Sequence, residues 1–299
     1  MPSIHEPVLL QEVLEHLNPQ SNQNFIDGTF GGGGHALAIL EKIKPEGKLI
    51  GIDWDPATIE NSQNKNLILV NDNYRHLKKI ILSAKNVFPT DKIHGILLDL
   101  GLSSDQLGAE HRGFSFQSEG PLDLRFNQSA TSLTGAEILN TYSTQQLFKI
   151  FKEYGEEPLA WPIAKKISAD RQQGIVFETA EMLVQLVSNL YSRHFREKSR
   201  RNPATRVFQA LRIAVNDELG NLRAFLPQAV EALEPGGRLA VISFHSGEDR
   251  IVKNFFRDGT KKENPLFKII TKKPVVATEK ELKANPRSRS AKLRVIEKI

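Results

Sequence analysis

The sequence predicts an α/β fold built on a mostly parallel seven-stranded sheet, with a helical insertion between the fourth and fifth strands. Three observations predict it. Short apolar runs alternate with helical patterns up to Asp99, which calls for parallel strands joined by crossover helices. The first strand runs straight into DGTFGGGGHA, residues 27–36, a glycine-dense turn that opens a helix. The alternation then gives way to helical patterns alone and returns with RLAVISF at 238–244.

In chain order, residues 6–17 place Val8, Leu9, Val13, Leu14 and Leu17 near helical spacing, and the helix ends before Pro19. The strand at 25–27 leads into Gly31, Gly32, Gly33 and Gly34. None of these has a side chain to bury and each costs backbone entropy, so the run is expected to make room for a ligand. The N–H groups of the following helix start favour an anionic group on that ligand. The helix at 35–42 turns Ala36, Leu37, Ile39 and Leu40 inward. KLIGID at 48–53 is a second strand, followed by a helix from Pro56, a strand at 66–71, a helix at 75–83 and a strand at 93–99. Residues 134–190 read as helices, and one long helical pattern runs from Ala204 past Leu226. PGG at 235–237 reads as a turn. After the strand at 238–244, HSGEDR leads into a helix through Phe256, and 266–271 and 293–297 supply the last strands. NPRSRSAK, at 285–292, is too basic and too poor in apolar residues for a core. The insertion is expected at 109–205, dividing a sheet domain made of 1–108 and 206–299.

A chain of 299 residues, 39% hydrophobic and 25% charged, has the size and composition of a soluble globular protein. No apolar run reaches the roughly 18 residues of a membrane span, and the N-terminus lacks the basic start and apolar core of a signal peptide. A cytoplasmic protein is the expectation. Zero cysteines exclude disulfides, thiolate metal sites and cysteine nucleophiles. Of the 40 basic and 35 acidic residues, 12 and 4 lie in 261–299, so the net +5 resides in the tail and the rest of the chain is slightly acidic. A second basic cluster comprises Arg193, Arg196, Lys198, Arg200, Arg201, Arg206 and Arg212. Basic segments on a near-neutral body point to a polyanion, with nucleic acid ahead of membrane.

Asp53 ends the second strand 22 residues beyond Gly31, where a carboxylate accepts hydrogen bonds from both hydroxyls of an adenosine ribose. That spacing alone leaves a dinucleotide open, because Gly31, Gly33 and Ala36 also satisfy G-x-G-x-x-[GA]. Asp27 and Asp99 lie at strand ends on the same sheet edge. Their charge would repel a pyrophosphate and stabilise a sulfonium and an amino group, as in S-adenosylmethionine.

Several long blocks carry a resemblance. They are HEPVLLQEVL at 5–14, DGTFGGGGHA at 27–36, DLGLSSDQL at 99–107, RGFSFQSEGPLDLRF at 112–126, NPATRVFQALRIAVNDEL at 202–219, GGRLAVISFHSGEDRIVK at 236–253 and NPRSRSAKLR at 285–294. With them the chain resembles the bacterial ribosomal RNA small-subunit methyltransferase H family. The resemblance implies a class I (Rossmann-like) methyltransferase fold and S-adenosylmethionine as methyl donor. It implies as substrate the exocyclic amine, N4, of a cytidine in the decoding region of 16S rRNA, with the small ribosomal subunit as partner. It implies cofactor contacts at Gly33, Gly34, His35, Asp53, Tyr74, Asp99 and Gln106, and substrate recognition by the insertion. The chain departs from the family pattern at Leu124, Phe126, Asn127, Pro158 and Gly247, none of which is an implied cofactor contact.

A cytosine amine is a poor nucleophile because its lone pair is delocalised into the ring, so the enzyme must mainly position it in line with the methyl donor. Asp99, or the hydroxyls of Ser103 and Ser104, is expected to accept a hydrogen bond from that amine. Many amine methyltransferases carry two prolines and an aromatic residue after this acid; here Leu100, Gly101 and Leu102 follow. RNA-binding candidates are Arg206, His245, Arg287 and Arg289. His245 ends the RLAVISF strand on the side where substrate enters. His35 reads equally as a packing residue and as a ligand contact, and neither histidine has the partners of a metal site. Phe114, Phe116 and Phe126 read first as core of the insertion and second as a stacking surface for a displaced base.

Overall fold

The structure is a computed structural model that describes residues 7–59, 64–89, 92–102, 112–116, 120–130, 132–195, 202–261 and 263–299. It divides into two compact units, residues 1–101 with 219–299, and residues 102–218. Among the described residues no helix is long and apolar enough to cross a membrane.

The first unit holds the sheet. Its strands are β1 (Asn24–Asp27), β2 (Leu49–Asp53), β3 (Leu67–Asn71), β4 (Ile93–Asp99), β5 (Leu233–Ser243), β6 (Phe267–Ile269) and β7 (Lys292–Lys298), in the order β3-β2-β1-β4-β5-β7-β6. The first five run parallel, and β7 lies antiparallel between β5 and β6. This is the expected Rossmann-like sheet, with all seven strands. β1 reads as an unbroken buried run because both of its faces are covered. Alternation along the strands splits the core in two. Ile26, Ile50, Ile96, Leu98 and Val241 pack with Leu77, Leu222 and Phe225 on one face, and Phe25, Leu49, Leu97, Ala240 and Ile242 with Val13, Ile39 and Leu40 on the other.

Among the described residues the helices are α1 (Leu10–Leu17), α2 (Gly34–Ile43), α3 (Leu77–Ala84), α4 (Gly135–Thr141), α5 (Thr144–Glu153), α6 (Ala160–Gln172), α7 (Ala180–His194), α8 (Thr205–Asn216), α9 (Glu218–Ala232), α10 (Ser246–Thr260) and α11 (Glu279–Ala284). Helices α4 to α8 form the second unit around Leu139, Phe151, Ile163, Leu183 and Leu211. Capping boxes start α4 at Thr134 with Glu137, and α5 at Ser143 with Gln146, satisfying the first free N–H groups of each. The unit extends beyond 109–205 at both ends. One reason is that α8 buries Val207, Phe208 and Leu211 in its core.

Four local expectations are corrected. The long helix past Leu226 is two helices, because Asp217 adopts a left-handed φ of 49°. The PGG segment is a bulge inside β5: Leu233 pairs with Ile93 and Arg238 with Gly95, so 234–237 oppose His94 alone. From Pro56 the described chain makes a single 3₁₀ turn, Pro56–Thr58. The basic segment at 285–292 does reach the core, with Ser288 and Ala291 buried.

Candidate active site

Asp27, Asp53 and Asp99 are the last residues of β1, β2 and β4, three adjacent parallel strands, so the fold brings their carboxylates to one edge. Thr29 ties two of them together. Its hydroxyl accepts the Asp99 N–H at 2.7 Å and lies 3.4 Å from Asp27 Oδ1, which also accepts the Thr29 N–H at 3.0 Å. Asp53 holds the glycine turn: Oδ2 accepts the Gly31 N–H at 2.7 Å and Oδ1 the Asp55 N–H at 2.8 Å. Thr29 was not singled out in the sequence. Its signal is a hydroxyl residue two positions after a strand-end acid, the Asx-turn pattern.

The four glycines do different things. Gly33 caps α2 with φ 76°, and a Cβ there would meet the Phe30 ring at 2.8 Å. A Cβ on Gly34 would run into the ring of Pro7. Gly31 also has a positive φ, 51°, while Gly32 is exposed with nothing within 4 Å of its would-be Cβ. The expectation that the whole run makes room for a ligand is therefore corrected. Gly33 and Gly34 admit the protein's own Phe30 and Pro7, and the open side of the turn belongs to Gly31 and Gly32.

The three acids share one electrostatic character. Burial pushes Asp27 up to about 7, with the Asp53 charge adding to the rise and the Thr29 hydrogen bonds opposing it. Burial holds Asp99 well above the usual carboxylate range, reinforced by Asp27 and then Glu248. Asp53 is raised by burial, against the hydrogen bonds from Asp55 and Gly31. Asp99 Oδ1 is buried, and among the described residues it accepts no hydrogen bond and no lysine or arginine pairs with any of the three. A desolvated cluster of acids is relieved by a cation and made worse by a phosphate. The edge therefore suits a positively charged ligand with hydroxyl groups.

His35 is 7% exposed, with Nε2 2.9 Å from the Val8 carbonyl and Nδ1 3.5 Å from Asp99 Oδ2. Tyr74, half-buried after β3, sets its ring edge-on to Phe225 at 5.4 Å. Gln106, Ser103 and Ser104 lie outside the described residues.

Of the RNA-binding candidates, Arg206, Arg287 and Arg289 are exposed. The guanidinium of Arg206 acts on the Tyr191 phenol. His245 is not a free surface group: Nδ1 lies 3.4 Å from the Glu248 N–H, capping α10, and Nε2 lies 3.1 Å from Glu248 Oε1. Arg212 leaves the second basic cluster for a bidentate pair with Glu218 at 2.8 and 3.0 Å, and Arg196 to Arg201 lie outside the described residues. Phe114 is core of the helical unit, while Phe116 and Phe126 are half-buried against that core, with Phe114 stacked on Phe126 at 5.8 Å and Phe116 edge-on to Phe208 at 4.9 Å.

Residues 2–299 match the MraW methylase family. The chain belongs to that family. As a member of the MraW methylase family it is a methyltransferase. It is 46% identical over 314 aligned positions to the ribosomal RNA small subunit methyltransferase H of Heliobacterium mobile, covering 99% of each chain. It is also 46% identical to the protein of that name from Thermomicrobium roseum, covering 99% of this chain and 94% of that one. Among solved structures, a putative methyltransferase from Streptococcus mutans in complex with SAH aligns at 13% identity with a TM-score of 0.45, covering 99% of this chain and 100% of that one. That likeness is too distant to transfer any residue assignment.

Proposed function

We propose that the protein transfers a methyl group from S-adenosylmethionine to N4 of a cytidine in the decoding region of 16S rRNA, as a cytoplasmic modifier of the small ribosomal subunit. The observation that carries the cofactor is the row of three strand-end acids, Asp27 buried and Asp53 and Asp99 partly so, with no lysine or arginine paired to them among the described residues, beside an open glycine turn. Near-identity in length and 46% identity with enzymes named for small-subunit ribosomal RNA support the substrate.

When bound, S-adenosylmethionine supplies a methyl group activated by a positively charged sulfur. Asp53, already fixed by the N–H groups of Gly31 and Asp55, has lone pairs left to accept the ribose hydroxyls. Gly33, Gly34, His35, Tyr74 and Gln106 are the further residues that would hold the ligand. Asp27 and Asp99 favour the positive end of the ligand. Asp99 also accepts a hydrogen bond from the cytosine amine, holding its lone pair toward the methyl group; orientation of this kind is the largest demand of a reaction whose donor is already activated. The helical unit presents the RNA, with Arg206, Arg287 and Arg289 contacting phosphates.

Calorimetry separates this reading from a nicotinamide-dependent one built on the same turn. S-adenosylhomocysteine binds with a single-site isotherm and NADH gives no heat of binding. Binding of NADH in place of S-adenosylhomocysteine would remove the proposal.

A further inference from the structure

His35 is tied from two sides. Nε2 faces the Val8 carbonyl at 2.9 Å, and a carbonyl only accepts, so Nε2 carries the hydrogen. Nδ1 faces Asp99 Oδ2 at 3.5 Å, with both side chains largely withdrawn from water. The segment that supplies Val8 is itself held. Leu9 is fully buried with a left-handed φ of 56°, and its N–H donates to Glu281 of α11 at 2.7 Å. With Nε2 committed, an ionised Asp99 beside a neutral imidazole would set lone pair against lone pair. A single proton between Oδ2 and Nδ1 removes that conflict.

We infer that His35 is a positioning residue for Asp99 that shares a proton with it, so that the pair ends as a neutral carboxyl beside an imidazolium when the cytosine amine loses its proton. The inference rests on the proposed role of Asp99. The shared proton has two starting places. If Asp99 is the acid, the amine N–H breaks with its electron pair left on nitrogen, the proton joins one carboxyl oxygen, and the Oδ2 proton passes to Nδ1. If Asp99 is the carboxylate and His35 the imidazolium, the amine proton joins the carboxylate directly. Both paths end at the same pair, a neutral carboxyl beside an imidazolium. The other ionisable groups acting here are Asp27 and Glu248, with Asp53 behind Asp27 and His245 against Glu248. The acids among them favour the imidazolium over a positive charge left on the methylated base.

The test begins with the cofactor-free protein, labelled with ¹⁵N-histidine and followed by long-range ¹H–¹⁵N spectra across pH. His35 is expected to be the Nε2–H tautomer when neutral, and Asp99→Asn is expected to move its titration to lower pH by about one unit. An Nδ1–H tautomer, or a titration unchanged in Asp99→Asn, overturns the inference. The second arm is His35→Gln, which keeps a donor for Val8 but accepts no proton. At saturating S-adenosylmethionine its single-turnover rate should fall about 10²-fold and the inflection of its pH–rate profile should disappear. Wild-type rate and profile in His35→Gln overturn the inference and leave the methyltransferase reading intact. Absence of any methyl transfer by the wild type to small-subunit RNA sinks that reading instead. The spectra still decide the pair in that case, or if His35→Gln does not fold.

Discussion

Asp27 is 1% exposed and its carboxyl is pushed up from an ordinary 3.8 to about 7. The folded chain thus holds this proton more tightly than the unfolded chain. Its effect on stability is most favourable below pH 3.8, is lost as pH rises to about 7, and is level above. At about 1.4 kcal/mol per pH unit, the ionised group costs the ligand-free fold roughly 4 kcal/mol. Asp27→Asn keeps the Oδ1 acceptor for Thr29 and never ionises. Urea denaturation should therefore find Asp27→Asn gaining on the wild type by up to that amount between acid and mildly alkaline pH. A gap that stays constant across this range contradicts the burial argument. The glycines give a second contrast at the same scale. Gly34→Ala drives a methyl group into Pro7 and should cost about 1–3 kcal/mol, whereas Gly32→Ala meets nothing and should leave the melting temperature unchanged.

Among the elements, β7 changes what the basic tail means. It lies between β5 and β6, and Arg294 spends its charge on Asp249 at 2.7 Å rather than on a partner molecule. Truncation before Pro286 would remove an interior strand and unfold the sheet, so it cannot report on RNA binding. Substituting the exposed Arg287 and Arg289 together by alanine does report on it. The slope of log affinity for RNA against log salt should shrink by about 1.4, because two phosphates of single-stranded RNA then keep their counterions. An unaltered slope assigns both arginines to the protein surface alone. The strands were legible because buried parallel strands are short apolar runs between turns, and the acids were legible because they terminate those runs. What escaped was set by distant partners. Gly34 looks like a ligand glycine until Pro7 is placed against it. Likewise, PGG carries the same glycine cue for a bulge as for a turn, and only the pairing of Leu233 and Arg238 across β4 separates them. His245 looked substrate-facing because nothing in the sequence reveals that its ring turns back to cap α10.

For the whole molecule, sheet and helical unit each have a core of their own, and the chain leaves the first after β4 and returns to it through α9. The return matters because β4 and β5 pair directly, so the insertion leaves from the strand end that carries Asp99. The proposed acceptor is N4 of a cytidine. It is tested most directly by incubating the protein with S-adenosylmethionine and small subunits from cells lacking the enzyme, then digesting the RNA and identifying its nucleosides by mass spectrometry. A new cytidine methylated on N4 is expected, mapping to the decoding region and missing when Asp99→Ala replaces the wild type. A methyl group appearing on another base, or on carbon 5 or the ribose of cytidine, would contradict it.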